Sequence, residues 1–213
     1  MNTDDLVRML ATGVAPADTG ATARRYAAAI LAGLGAAVVL MAAVLGLNPE
    51  LARYVSLPMF WVKVGFPALV AVGGVVAAAR LSRPGAPLSG LSTALIAPLV
   101  ALWALAAVAL VTAAPGQRTA LILGKTWADC PFNIAMLSVP AFIAILWAMK
   151  GLAPTRLRLA GAGAGLLAGA LGALAYALHC PELAAPFLGV WYVFGMLIPA
   201  ALGALVGPRV LRW

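Results

Sequence analysis

Two cysteines and a single histidine carry most of the chemical potential of this 213-residue sequence. Cys130 lies in Trp127-Ala128-Asp129-Cys130-Pro131, and Cys180 in Leu178-His179-Cys180-Pro181-Glu182. Each cysteine is followed by proline and has a carboxylate within two residues. Thiolates select soft ions such as Cu(I), and His179 adds an imidazole that Asp129 or Glu182 could orient or supplement. The same two thiols could instead form a disulfide in an oxidising compartment. Metal binding and thiol oxidation both favour the thiolate, so a reduced pair would answer to either signal. The residues leave a structural disulfide and a metal or redox sensor both open. No Cys-x-x-Cys is present, which argues against a thiol oxidase.

The elements that position these groups must be membrane helices. Hydrophobic residues make up 64% of the chain and charged ones 9%, with a mean hydropathy of +1.04. A soluble core of this size has no place for so much apolar surface. Six apolar runs, at 26–47, 63–81, 91–113, 128–149, 159–178 and 187–207, are near the length that crosses the hydrocarbon. The expected fold is therefore all-α, a six-span multi-pass protein. The first run is too long for a signal peptide, so none is expected to be cleaved.

Charge sets the expected orientation. With the N-terminus in the cytoplasm, ten cations (Arg8, Arg24, Arg25, Arg80, Arg83, Lys150, Arg156, Arg158, Arg209 and Arg212) lie inside and four (Arg53, Lys63, Arg118 and Lys125) outside. This positive-inside bias predicts both termini in the cytoplasm and both cysteines facing outward at similar depth. Trp61, Trp127, Tyr176, Trp191 and Tyr192 would form an outer aromatic belt, and Tyr26, Trp147 and Trp213 an inner one. The net charge of +8 is accounted for by topology, and direct nucleic-acid binding is not expected.

Within the spans, Gly161, Gly165 and Gly169 recur at four-residue spacing, which lets helix backbones approach and predicts a central helix. Gly163 and Gly165 mimic a dinucleotide fingerprint, but no strand precedes them. Pro67, Pro98, Pro140 and Pro199 fall inside spans, where neighbouring helices satisfy the freed carbonyls. Met59, Met136 and Met196 read as fillers of helix interfaces. No ionisable residue is expected near the middle of a span, which argues against a pump or an ion-coupled transporter. The chain reads as a sensor or scaffold, not an enzyme, with no constitutive cofactor. A small metal-handling or transport protein that loads at Cys130, His179 and Cys180 is the alternative.

Residues 1–25 form the one sizeable polar segment. Thr3 is expected to cap a short helix opening with Asp4 and Asp5, whose carboxylates favour the positive end of the helix dipole. Leu6, Met9 and Leu10 follow on one stripe, and Gly13 and Pro16 stop the helix. An acidic amphipathic helix suits a basic protein groove better than a membrane surface.

Several segments resemble the NrsF family of bacterial inner-membrane anti-sigma factors. They are Thr3-Asp4-Asp5-Leu6-Val7-Arg8-Met9-Leu10-Ala11, Gly124-Lys125-Thr126-Trp127 through Cys130, Leu137-Ser138-Val139-Pro140, Ala153-Pro154-Thr155, Tyr176 through Glu182, and Val190-Trp191-Tyr192. The resemblance covers nearly the whole chain. It implies a six-span protein whose cytoplasmic tail, here Asp4, Asp5, Leu6 and Leu10, holds an extracytoplasmic-function sigma factor at the membrane. It further implies that Cys130 and Cys180 sense heavy metal (copper or similar) or oxidant and trigger release. His179, Asp129 and Glu182 join this set by proximity in sequence alone.

Overall fold

The structure is a computed structural model that describes residues 2–12, 20–83, 85, 89–152 and 154–212. Among the described residues every regular element is helical. Six helices are long and apolar enough to cross a membrane: α2 (Ala21–Val44), α4 (Pro58–Leu81), α5 (Leu91–Thr112), α7 (Cys130–Lys150), α8 (Leu157–Tyr176) and the last span, Ala185–Val210. That last span is composite. A short α9 (Ala185–Phe187) runs through a π turn (Leu188–Tyr192) into α10 (Val193–Val210). Among the described residues three short helices join these: α1 (Thr3–Ala11), α3 (Leu51–Tyr54) and α6 (Pro115–Leu123).

Helix ends differ from the sequence reading in instructive ways. Asn2, not Thr3, holds the cap position of α1, and no side chain caps that end. Thr3 is already helical. The helix stops at Ala11, where the Thr12 hydroxyl donates to the Met9 carbonyl at 2.9 Å. Gly13 and Pro16, the expected stops, lie outside the described residues, as does Trp213. The second membrane helix begins at Pro58, because proline is favoured in a first helical turn where its missing N–H costs nothing. Lys63 therefore lies within the span instead of at its edge. The short helices α3 and α6 fall in connections that carry no periodic apolar signal. Asn48 starts α3 by accepting the Glu50 N–H at 2.9 Å.

α8 is the centre of the bundle, packed against α10, α4, α7 and α2. Its composition allows this. A Cβ on Gly161 or Gly165 would drive into the backbone carbonyls of Gly203 and Pro199 on α10. On Gly169 it would come within 2.8 Å of the Met196 carbonyl oxygen, and on Gly172 within 2.7 Å of the Ile134 carbonyl oxygen of α7. Small residues thus replace side-chain interdigitation with direct backbone contact, the packing that works where lipid removes the hydrophobic drive. α5 is the opposite case, contacting the bundle along little of its length and exposing most of its surface. Pro67, Pro98, Pro140 and Pro199 are all accommodated inside continuous helices.

The buried residues divide into two layers. One gathers Cys130, Cys180, Tyr176, Tyr192, Phe187 and Met196, and the other Tyr26, Ala78, Ala141, Met149 and Leu211. Met59 and Met136 pack against the first layer, as fillers should. At the second layer Tyr26 is not part of an interfacial belt. It is buried, and its hydroxyl meets the Ser82 hydroxyl and the Ala78 carbonyl (3.2 Å), tying α2 to α4. Nearby, the Arg25 guanidinium sits 4.7 Å above the Trp147 ring and donates to the Trp147 carbonyl at 2.8 Å.

Replacing Gly165 with Leu should cost about 3 kcal/mol or more of bundle stability, since backbone on α10 cannot yield as a side chain could. Gly35→Ala, where a Cβ meets nothing within 4 Å, should be neutral or stabilise by up to about 1 kcal/mol. Thermal unfolding of the two variants in detergent, followed by loss of helicity, checks the contrast.

Candidate functional site

Cys130 and Cys180 come together at one end of the bundle. Cys130 is the first residue of α7, with Pro131 behind it in the first turn. Cys180 follows the end of α8, where a turn lets its N–H donate to the Tyr176 carbonyl at 3.0 Å. Pro181, which could not continue the helix, comes next. The thiols are not joined in a disulfide, and they lie close enough to interact electrostatically. Both are completely buried. The sequence reading has both cysteines facing outward; in the fold, apolar neighbours from α7, α8 and the last span close over them.

Three further side chains converge on the pair. Lys63 of α4 is wholly buried, its ammonium donating to the Cys180 carbonyl and interacting with both thiols and the Glu182 carboxylate. Tyr176 of α8 places its hydroxyl in hydrogen-bonding reach of Cys130, Cys180 and Asn133. Tyr192, at the end of the π turn, lies beside Cys180 with its hydroxyl buried. Neither tyrosine belongs to an aromatic belt. Their rings stand 5.9 Å apart inside the core, whereas Trp61 and Trp127 remain exposed as interfacial residues should.

The residues nominated by nearness in sequence do other work. His179 Nδ1 lies 2.9 Å from the Gly46 carbonyl oxygen, pinning the end of α2 to the end of α8. Gly46 adopts a positive φ of 78° there. Glu182 Oε1 accepts the Lys125 N–H at 2.7 Å. That contact needs Gly124, whose φ is +58° and whose missing Cβ would sit 2.7 Å from the Glu182 carboxyl carbon. Asp129 is exposed, and its carbonyl accepts the Asn133 N–H at 2.9 Å. Among the described residues no three His, Cys, Asp or Glu side chains converge anywhere. The donor set is two thiols, with two phenols and a cation around it. That fits a two-coordinate soft ion or a disulfide, and does not fit a four-ligand centre.

Lys63, Tyr176 and Tyr192 are the site residues that sequence reasoning missed. One signal was available for Lys63. It is the only Lys, Arg, Asp or Glu in the run from Pro58 to Ala79, and an ionisable group inside such a run marks function by default.

The tail occupies a separate place. Every residue of α1 is exposed, Leu6, Met9 and Leu10 included, and Asp4 and Asp5 stand in its first turn. The stripe has no partner within the described residues of the chain.

Around the thiols the loops are stitched by tryptophan. Trp191 donates to the Ile122 carbonyl at 2.8 Å and meets Trp127 at a tilt, ring centres 5.3 Å apart, while Trp103 donates to the Gly189 carbonyl at 3.0 Å. α5 and α6 are thereby tied to the π turn that carries Tyr192.

Comparison with known proteins finds relatives along the full length of the chain. The family model NrsF, negative regulator of sigma F, matches residues 10–213. A protein of Azospira oryzae named a probable anti-sigma-F factor NrsF is 53% identical over 213 residues, covering all of both chains. The anti-sigma-F factor NrsF of Caulobacter vibrioides is 38% identical over 218 residues, again covering all of both. No solved structure matches. The chain belongs to the NrsF family, the negative regulators of sigma F.

Proposed function

We propose that this protein is a bacterial inner-membrane anti-sigma factor that holds a sigma factor of the extracytoplasmic-function class through α1. Release follows when Cys130 and Cys180 react with a soft metal ion or an oxidant. One observation supports this reading above the others. Cys130 at the start of α7 and Cys180 just past the end of α8 meet in a buried, cation-lined pocket at the end of the bundle away from the root of the tail. α7 measures the separation. It starts at Cys130 and grips Arg25, near the start of α2, through Trp147. Its 21 residues span roughly 30 Å.

The positive-inside balance puts the Arg25 end, and with it both termini, in the cytoplasm. There α1 offers Leu6, Met9 and Leu10 as anchors and Asp4 and Asp5 as counter-charges for a basic groove. A helix this short orders best against a partner.

On the outer side two chemistries suit the pair. A two-electron oxidant would take two electrons and two protons from the thiols and leave a disulfide. A soft cation such as Cu(I) would displace both thiol protons and bridge the sulfurs. Either event rewrites the contacts of the α7 start and the α8 end with Lys63, Tyr176 and Tyr192. To turn a mostly bound sigma factor mostly free, the signal must favour the released state by about 5.5 kcal/mol.

Changing Asp4 and Asp5 to Lys should weaken sigma capture by about a hundredfold or more, because like charges would face each other across the groove. Pull-down of the sigma factor with the full chain in detergent reads this out. Capture at the native level would remove α1 from the contact. A Cys130→Ser/Cys180→Ser variant should capture sigma normally and retain it on exposure to cadmium or diamide. Undiminished release from it would dismiss the thiols as the trigger. Because both thiols are buried, N-ethylmaleimide should modify them at least about tenfold more slowly in the folded protein than in denaturant, as mass spectrometry would show.

A further inference from the structure

The end of the bundle that holds Arg25 and Trp147 carries cations and, among its described loop residues, no carboxylate. The described carboxylates of the loops, Glu50, Asp129 and Glu182, all belong to the cysteine end, and Asp4 and Asp5 belong to α1. Most of these cations are dispersed over helix ends, which topology alone explains. Two are not dispersed. Arg158 stands in the first turn of α8 and Arg209 in the last turn of α10. The two helices run antiparallel and are pressed backbone to backbone at this end by Gly161, Gly203 and Gly207. The crossing brings both arginines to the wall of one cavity of about 510 Å³, completed by Ala204, Leu205 and Pro208.

The lining has two characters. Neither guanidinium makes a hydrogen bond or ion pair among the described residues, and the N-terminus of α8 beside them has no side-chain cap. Free N–H groups at a helix start and two guanidinium forks suit a phosphate oxyanion. The remaining wall is apolar, and Leu205 is 68% exposed toward the surroundings of the bundle. A soluble phosphate would leave that wall unused. A molecule with a phosphate at one end and a hydrocarbon chain at the other covers both parts at once.

We propose that this cavity is a binding site for an anionic phospholipid, with Arg158 and Arg209 holding the headgroup phosphate and Ala204, Leu205 and Pro208 receiving the start of an acyl chain. Basic pockets between membrane helices recognise anionic headgroups in this way, and each arginine near the surface contributes a several-fold preference. The site joins α8, the central helix, to the end of the last span. A lipid bound there clamps the same α8–α10 seam whose far end carries Cys180 and Tyr192.

The test uses the full chain in nanodiscs of mixed phosphatidylcholine and phosphatidylglycerol, extracted into mild detergent. Co-purifying lipid is counted by native mass spectrometry. The native chain should retain phosphatidylglycerol over phosphatidylcholine by about thirtyfold, and Arg158→Gln/Arg209→Gln should abolish that preference. Arg53→Gln/Arg118→Gln, which removes the same charge from the opposite end, should keep it. If the double variant loses helicity, the single variants carry the test, each with a preference reduced about fivefold. Equal retention of the two lipids by the native chain, or an undiminished preference in the Gln variants, overturns the proposal. So does displacement of the lipid by inorganic phosphate alone, which would mark a site for a soluble anion.

Discussion

The backbone contact between α8 and the last span is the constraint on which the rest of this structure depends. In lipid there is little hydrophobic gain in bringing one apolar helix to another. Association must come from close, extensive van der Waals contact, and Gly161 against Gly203 and Gly207, Gly165 against Pro199 and Gly169 against Met196 supply it. Once that seam is fixed, the end of α8 and the π turn are fixed with it. Cys180, Tyr176 and Tyr192 then have no freedom in where they meet, and α7 and α4 deliver Cys130 and Lys63 to the same point.

The pocket so formed is unusual for its depth in the fold. A lysine within a membrane helix, with no carboxylate in direct salt-bridge contact among the described residues, is expensive to keep. Its amino group donates to the Cys180 carbonyl just past the end of α8 and lies near both thiols. The thiols in turn sit among phenols. Such a pocket is sensitive to any reaction at sulfur, because a change in charge there alters the balance that keeps Lys63 inside.

How much of this could be read from sequence follows from what each signal measures. Apolar runs of about 20 residues report the bilayer thickness directly, so the six spans and the glycine face of α8 were legible. Span edges were not, because proline starts a helix as readily as it breaks one. Moving one edge from 63 to 58 turned Lys63 from a loop cation into the core of the site. Tyr176 and Tyr192 were read as belt residues because an aromatic near a span end has two destinations, outward or inward, and composition does not say which. His179, Asp129 and Glu182 are a different case. Adjacency along the chain says nothing about direction: the His179 ring meets the Gly46 carbonyl, the Glu182 carboxylate accepts the Lys125 N–H while interacting with Lys63, and Asp129 is exposed.

The π turn at Leu188–Tyr192 has one more consequence, and it concerns length. Successive residues of an α-helix are rotated by about 100° around the axis. The wide turn takes up one extra residue locally, so the helix on either side of it keeps its phase. Deleting one residue between 188 and 192 would close it to an ordinary α turn and leave Gly203 and Gly207 facing Gly161, whereas a deletion between 193 and 203 has no such slack and would turn them away. Chain length is therefore forgiving before Val193 and strict after it, and the spacing from Val193 to Gly203 acts as a ruler for the last span.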